Sequence, residues 1–204
     1  MELIPKVLKK STKMTKTIYL LEWYGPFSTP KEVIEWENKQ IGNGKTYLYL
    51  FKGKKKSQRI FSYYCGQAFA QTAGKRLTNK AHHIYEVIER QNDLSIWVAK
   101  FQNKKPNKQD VNLVEKLITS AMSQVIITDE NAILNQTNKL GPKTIVYLIN
   151  EWFKRNGDPW EKYRKDSIPC LIHDILICYP HENCSSLYGN CRTQYIKDIE
   201  INKS

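Results

Sequence analysis

The chain predicts an α+β fold: a small three-stranded antiparallel sheet flanked by helices. Two runs rich in β-branched and aromatic residues, 46–51 and 59–65, flank a lysine-rich turn and read as a hairpin. A third such run follows at 94–99. Apolar residues recur at the helical period over 74–90 and again over 110–122, which places helices before and after that third strand.

The elements follow in chain order. Residues 1–16 are polar and lysine-rich and predict a loose arm. Thr17 to Tyr24 reads as a strand, ended by Gly25-Pro26. Ser28 or Thr29 caps a short helix with Pro30 in its first turn, running to about Asn38. Gly42-Asn43-Gly44 is a break. The hairpin follows, its turn at Lys52-Gly53-Lys54-Lys55-Lys56; Gly66 marks a point where the backbone turns or something approaches it closely. Leu77, Ala81, Ile84, Tyr85 and Ile88 form the stripe of the next helix, and Leu94 to Ala99 the third strand. Asp110 caps a helix whose stripe is Val114, Leu117, Ile118, Ala121 and Met122, with Glu115 beside it. Gly141-Pro142 precedes an amphipathic helix over about 143–155 and a Cys- and Tyr-rich tail. The domains expected are therefore 1–44, an N-terminal arm with a strand–helix extension; 45–140, the core; and 141–204, a helical and Cys-rich extension.

The apolar share of 41% and charged share of 25% fit a globular protein rather than a disordered chain. No apolar run approaches ~18 residues and the start lacks a signal-peptide core, so an intracellular protein without a membrane span is expected. The net charge is +12, of which residues 45–140 carry +9 (16 basic, 7 acidic). A positive field concentrated on one segment attracts a polyanion, and nucleic acid is the partner expected. Lys54, Lys55, Lys56, Arg59, Lys75, Lys80, Lys104 and Lys105 are the cations expected to meet its phosphates. Aromatics interleaved with cations at Trp152, Lys154, Arg155, Trp160, Lys162, Tyr163, Arg164 and Lys165 offer a second surface, with helix packing as the alternative.

The same segment holds an ordered set of polar residues: Tyr47; Tyr64-Cys65-Gly66; Arg76; His82-His83; Glu115; and Asn135. In order and type this set resembles the GIY-YIG nuclease superfamily. That family has a tyrosine on a first strand, a Tyr-x-Gly on a second, an arginine and often a histidine on a helix, a glutamate on a later helix and an asparagine after it. The resemblance covers residues 45–136. Lys45-Thr46 stands where the family has Gly-Ile, Cys65 where it has Ile, and Tyr49 competes with Tyr47 as the first tyrosine.

The resemblance implies a metal-dependent DNA endonuclease that cleaves duplex DNA in the manner of a restriction enzyme. Homing, repair and anti-phage roles stay open, as does a nucleic-acid-binding module without catalysis. Glu115 is expected to hold Mg²⁺ or Mn²⁺ through oxygen. Arg76 is expected to grip the scissile phosphate, because its guanidinium matches phosphate oxygens in a fork. Tyr47 is expected to take a proton from water, Tyr64 to orient water or phosphate, and His82 or His83 to shuttle a proton. Cutting both strands with one site per chain suits a homodimer.

Five cysteines are present, four of them after residue 169. Cys178, His181, Cys184 and Cys191 are spaced C-x2-H-x2-C-x6-C, which suits tetrahedral Zn²⁺; a cysteine-rich core patch is the preferred alternative.

Overall fold

The structure is a computed structural model that describes residues 16–40, 45–55, 59–125, 131–134, 144–160, 168–179 and 185–188. The chain forms β1 (Lys16–Phe27), α1 (Pro30–Lys39), β2 (Leu48–Lys55), β3 (Phe61–Gln67), α2 (Ala73–Leu77), α3 (His83–Glu89) and β4 (Gln91–Phe101). It continues with α4 (Lys108–Val125), β5 (Asn131–Ile133), β6 (Ile145–Phe153), α5 (Ile168–Leu171), β7 (Ile175–Cys178) and β8 (Ser185–Tyr188).

These strands build one mixed sheet in the order β5-β3-β2-β4-β1-β6-β7-β8. Six strands form its curled body, and the short β5 and β8 extend the two edges. This overturns the expected three-stranded antiparallel sheet. The three expected strands lie side by side as β3-β2-β4, antiparallel, but they are one half of a larger sheet. Two elements account for the difference. β1 pairs antiparallel with β4 and parallel with β6, so the N-terminal segment sits inside the sheet. The helix expected over 143–155 is the strand β6. Its run Ile145-Val146-Tyr147-Leu148-Ile149-Asn150-Glu151-Trp152-Phe153 is dense in β-branched and aromatic residues, and the alternate side chains Val146, Leu148, Asn150 and Trp152 are all buried. Period two, stabilised by neighbours on both sides, prevails over a helical reading of the same apolar residues.

Both faces of the sheet are covered. On one, α4, α5 and the residue after it pack Val111, Val114, Ile118, Ile168 and Ile172 onto Leu21, Trp23, Leu50, Cys65, Trp97 and Leu148. On the other, α1, α2 and α3 pack Val33, Trp36, Leu77, Ile84 and Ile88 onto Phe27, Tyr49, Phe51, Tyr64 and Val98. A strand covered twice needs no polar alternation. That is why Leu48-Tyr49-Leu50-Phe51 and Ile96-Trp97-Val98-Ala99 are continuous apolar runs.

The helices begin where side chains satisfy their first N–H groups. Thr29 Oγ1 accepts from Glu32 N at 3.2 Å, and Pro30 needs no partner at the first helical position. Asn107 and Asp110 cap α4 reciprocally: Asp110 N donates to Asn107 Oδ1 at 2.9 Å and Asn107 N to Asp110 Oδ2 at 3.0 Å. Asp110 is thus the second member of the cap rather than the cap itself. The single helix expected over 74–90 is two, α2 and α3, with α3 capped by the His82 side chain.

Where β1 meets β6, Asn150 is fully buried. Its Oδ1 accepts from Trp23 Nε1 at 2.9 Å, and its Nδ2 donates to the His173 carbonyl at 3.0 Å. Its main-chain N–H donates to the Asp174 carbonyl at 2.7 Å. One amide therefore ties β1, β6 and the approach to β7. Asn150→Ala strands buried partners on two sides and is expected to cost about 2–3 kcal/mol; urea denaturation of the variant against wild type measures it.

Candidate active site

The site begins with a contact across the β2–β3 hairpin. Tyr49 lies opposite Gly66, and the Tyr49 ring crosses the glycine. A methyl group at Gly66 would overlap Tyr49 Cζ and Oη and stand 2.6 Å from Tyr64 Cε1. The glycine of the Tyr64-Cys65-Gly66 motif is therefore a seat for the other tyrosine. Tyr64 then stacks between two β2 rings, 6.0 Å from Tyr49 and 5.4 Å from Phe51. Both tyrosines are buried.

Arg76 comes from α2, on the same face. Its hydrogen bond and its charge pull the Tyr49 phenol down, while burial pushes it up more strongly. The Arg76 Nε is buried and has no hydrogen-bond partner among the described residues. A half-buried carboxylate holds α2 in place. Glu37 of α1 accepts from Gly74 N at 3.1 and 3.2 Å and from the Thr46 hydroxyl, and Thr46 Oγ1 accepts from Ala73 N at 3.0 Å. Gly74 permits this approach: a methyl there would stand 2.6 Å from Glu37 Oε2 and 2.7 Å from Ile34 Cγ1. Two residues of the helix start are thus bonded before its arginine is positioned.

Glu115 comes from α4, which packs on the opposite face. Among the described residues β5 pairs only with Phe61–Tyr63, so the β3 edge from Tyr64 to Gln67 carries no neighbouring strand. Around that edge groups from both faces meet. Gln67 Nε2 donates to Glu115 Oε2 at 2.9 Å and to Asn112 Oδ1. The Glu115 charge raises the pKa of Tyr49, Tyr64 and Cys65, and Arg76 acts on Glu115 in turn. Burial lifts the Glu115 carboxyl from 4.5 to about 6, against the Gln67 hydrogen bond and the charges of Lys116 and Arg76. Burial likewise pushes Tyr64 up to about 12. Both phenols are protonated at neutral pH in this environment, so their hydroxyls can donate hydrogen bonds.

The two histidines divide their tasks. His82 Nδ1 accepts from Ile84 N at 3.3 Å, which puts the neutral ring's proton on Nε2. Burial, with the charges of Arg76 and His83, lowers the His82 pKa. His83 is exposed and rests its ring 6.4 Å from Tyr64. His82 is the cap of α3, whereas His83, the first residue of that helix, turns its ring outward.

The structure thus brings together Tyr64, Arg76, His82, His83 and Glu115 of the expected set. Tyr47 lies apart, its ring against Phe69 at 6.2 Å and Phe101 at 5.8 Å. Its place beside Arg76 belongs to Tyr49. Asn135 and Lys56 lie outside the described residues, as do His181, Cys184 and Cys191 of the zinc set. Cys178 is buried in β7, with its thiol pushed up to about 12 by burial. Of the expected phosphate contacts, Arg59, Lys75, Lys80 and Lys105 are exposed, and Lys54 and Lys55 are half-buried. Lys104 is bound to Asp110 at 2.8 Å. The sequence reading overlooked Gln67, Asn112 and Glu37. The signal for Glu37 lies in tertiary contacts alone. Gln67 directly follows the Tyr-x-Gly motif, and that position was the available clue.

Among the described residues no helix is long and apolar enough to cross a membrane, and no group of three or more His, Cys, Asp or Glu side chains gathers.

A buried carboxyl whose pKa is raised by folding opposes folding once it ionises. Below pH 4.5 both states are protonated and Glu115 is neutral to stability. As pH rises from 4.5 through 6 the unfolded chain ionises first, and stability falls by about 1–2 kcal/mol. Glu115→Gln is therefore expected to be more stable than wild type at pH 8 and equal to it at pH 4, as measured by urea denaturation at the two pH values. Gly66→Ala is expected to unseat Tyr49 and Tyr64 and to cost about 1–3 kcal/mol through overpacking, read from the shift in the same denaturation midpoint.

No protein-family model matches the chain, and neither a curated protein nor a solved structure matches it.

Proposed function

We propose that the protein is a metal-dependent endonuclease with a GIY-YIG-type site, in which Tyr49 and not Tyr47 is the first tyrosine. The observation that carries this is the convergence of Tyr49, Tyr64, Arg76 and Glu115 around the β3 edge beside Gly66. The concentration of +9 charge in residues 45–140 supports a polyanionic substrate, and duplex DNA is the one favoured.

The donor set fits a hard cation. Glu115 supplies one carboxylate, Asn112 an amide oxygen beside it, and a half-turn of the Gln67 amide would present a third oxygen. A Mg²⁺ or Mn²⁺ ion needs few protein ligands and keeps several waters. When bound there, the ion supplies Lewis-acid stabilisation of the charge that develops on the phosphate and the leaving oxygen.

The chain's own residues do the rest. Arg76, with one buried N–H that has no partner among the described residues, is placed to donate to the non-bridging phosphate oxygens. Charge neutralised by fixed donors needs no reorganisation during the reaction. The Tyr49 and Tyr64 hydroxyls donate to the attacking water or the phosphate and set the line of attack. His83, exposed and against Tyr64, carries the proton to solvent. Tyr49 reaches Arg76 through a hydrogen bond, so losing its hydroxyl loosens the arginine as well.

The test is cleavage of supercoiled plasmid by purified protein in Mg²⁺ or Mn²⁺, with EDTA as control. Wild type is expected to nick or linearise the plasmid, and EDTA to abolish this. Glu115→Ala and Arg76→Ala are expected to lower the rate by about 10²–10³-fold or more, and Tyr49→Phe by about 10²-fold. Tyr47→Phe is expected to stay within a few-fold of wild type. Failure to cleave DNA or RNA with either metal overturns the enzymatic reading and leaves a binding module.

A further inference from the structure

A second groove opens at the same end of β2, with a volume of about 660 Å³. Lys45, Lys100, Lys104 and Lys105 line it with Tyr47 and Phe101. Glu22 is the carboxylate in the lining, and its oxygens already accept from Tyr24 Oη at 3.0 Å and Gln102 Nε2 at 2.9 Å. Asp110 is bound to Lys104, and Glu37 is bound to Gly74 and Thr46.

The ammonium groups are arranged in an unusual way. Lys100 is 5% exposed, and its Nζ sits 5.2 Å over the Tyr24 ring and 5.1 Å over the Trp36 ring. Among the described residues it has no carboxylate within 4.0 Å. Lys45 donates to the Phe69 carbonyl and lies 5.2 Å over the Tyr47 ring. Burial lowers the pKa of both lysines, against the pull of Glu37 at Lys45 and of Glu22 and then Glu37 at Lys100. Lys45 and Lys100, unlike Lys104, are therefore under-compensated by acids among the described residues.

The wall carrying these groups is firmly held. Asn103 accepts from Leu20 N at 3.1 Å and donates to the Ile18 carbonyl at 2.8 Å, and Gln102 N donates to the Leu20 carbonyl at 2.9 Å. Tyr47 is two residues from Tyr49, about 7 Å along the strand. Phosphates on one strand rise about 3.4 Å each along a duplex. The groove is thus a few nucleotides from the site at Tyr49.

We propose that this groove is a second phosphate subsite, in which Lys45, Lys100 and Lys105 hold the backbone of the same nucleic-acid strand a few nucleotides from the bond engaged at Tyr49, Arg76 and Glu115. The proposal rests on the nuclease reading for the identity of the polyanion. An aromatic wall beside paired cations suits nucleic acid, whose bases stack while its phosphates pair. A polypeptide carboxylate chain uses only the charge.

The experiment measures binding of a fluorescein-labelled 20-base-pair DNA duplex by anisotropy, from 50 to 200 mM NaCl, in a Glu115→Gln background. Lys45→Gln with Lys105→Gln is expected to weaken binding about tenfold and to reduce the slope of log K against log[NaCl] by about 1.8. Lys31→Gln, on the exposed start of α1, is the control and is expected to change nothing. Lys100→Met is expected to weaken binding while raising the denaturation midpoint, because it removes a buried charge; a purely structural lysine would lower that midpoint. If the double variant binds with the parent's affinity and slope, the subsite is wrong and the nuclease reading stands. If the slope falls as expected but wild type cleaves nothing, the subsite stands and the nuclease reading falls. Absence of DNA binding by the parent overturns both. Equal binding of polyglutamate of matched charge overturns the assignment to nucleic acid.

Discussion

The seating of Tyr49 on Gly66 is the contact on which the candidate site depends. It sets the hairpin register, because only the pairing that puts a glycine opposite Tyr49 lets the ring lie flat across the strand. From that register follow the stacking of Tyr64 between Tyr49 and Phe51, the reach of Arg76 to the Tyr49 hydroxyl, and the position of Gln67 one step beyond. A side chain at residue 66 would push the ring away and disperse the four groups together. The contact is local in space but spans sixteen intervening residues.

The second feature is the stretch of β3 from Tyr64 to Gln67, which has no strand on its β5 side among the described residues. Arg76 and the tyrosines lie on the face covered by α1–α3, whereas Glu115 belongs to a helix on the other face. Side chains cannot pass through a hydrogen-bonded sheet. Their charges act on one another around the end of β3, where no described residue pairs with Tyr64–Gln67 on the β5 side. Gln67, at the end of β3, connects the two sides by donating to Glu115 and Asn112. The electrostatic outcome is a raised carboxyl at Glu115 and raised phenols at Tyr49 and Tyr64 around one guanidinium. Burial favours the neutral form of all three groups, and only at Glu115 does this oppose the ionisation that water would give at neutral pH.

The N-terminal and C-terminal segments take part in this arrangement through packing. β1 lies between β4 and β6 at the centre of the sheet, and α1 supplies Glu37 to the start of α2. Arg76 is therefore positioned by a residue thirty-nine positions earlier. The same carboxylate bears on Lys45 and Lys100, so the start of α2 and the lysine groove share one acidic neighbour. Tyr47, displaced from the site, becomes part of that groove's wall.

Several features were legible in the residues alone. The strands around Tyr49, Tyr64 and Trp97 announce themselves by β-branched and aromatic content, and the helix of Glu115 by its apolar stripe. Tyr64-Cys65-Gly66, Arg76 and Glu115 could be singled out because their chemical types and order suit phosphodiester hydrolysis. Local propensity is a property of neighbouring residues and so is written in sequence. The choice between Tyr49 and Tyr47 was not, because it depends on which residue of β3 lies opposite each of them. Nor was the nature of residues 145–153, whose apolar pattern satisfies a helix or a strand until β1 and β7 flank it. The size of the sheet, the seating of Tyr49 on Gly66 and the carboxylate under α2 are all consequences of long-range pairing. Only the tertiary structure decides them, since each arises from surfaces that no stretch of chain possesses by itself.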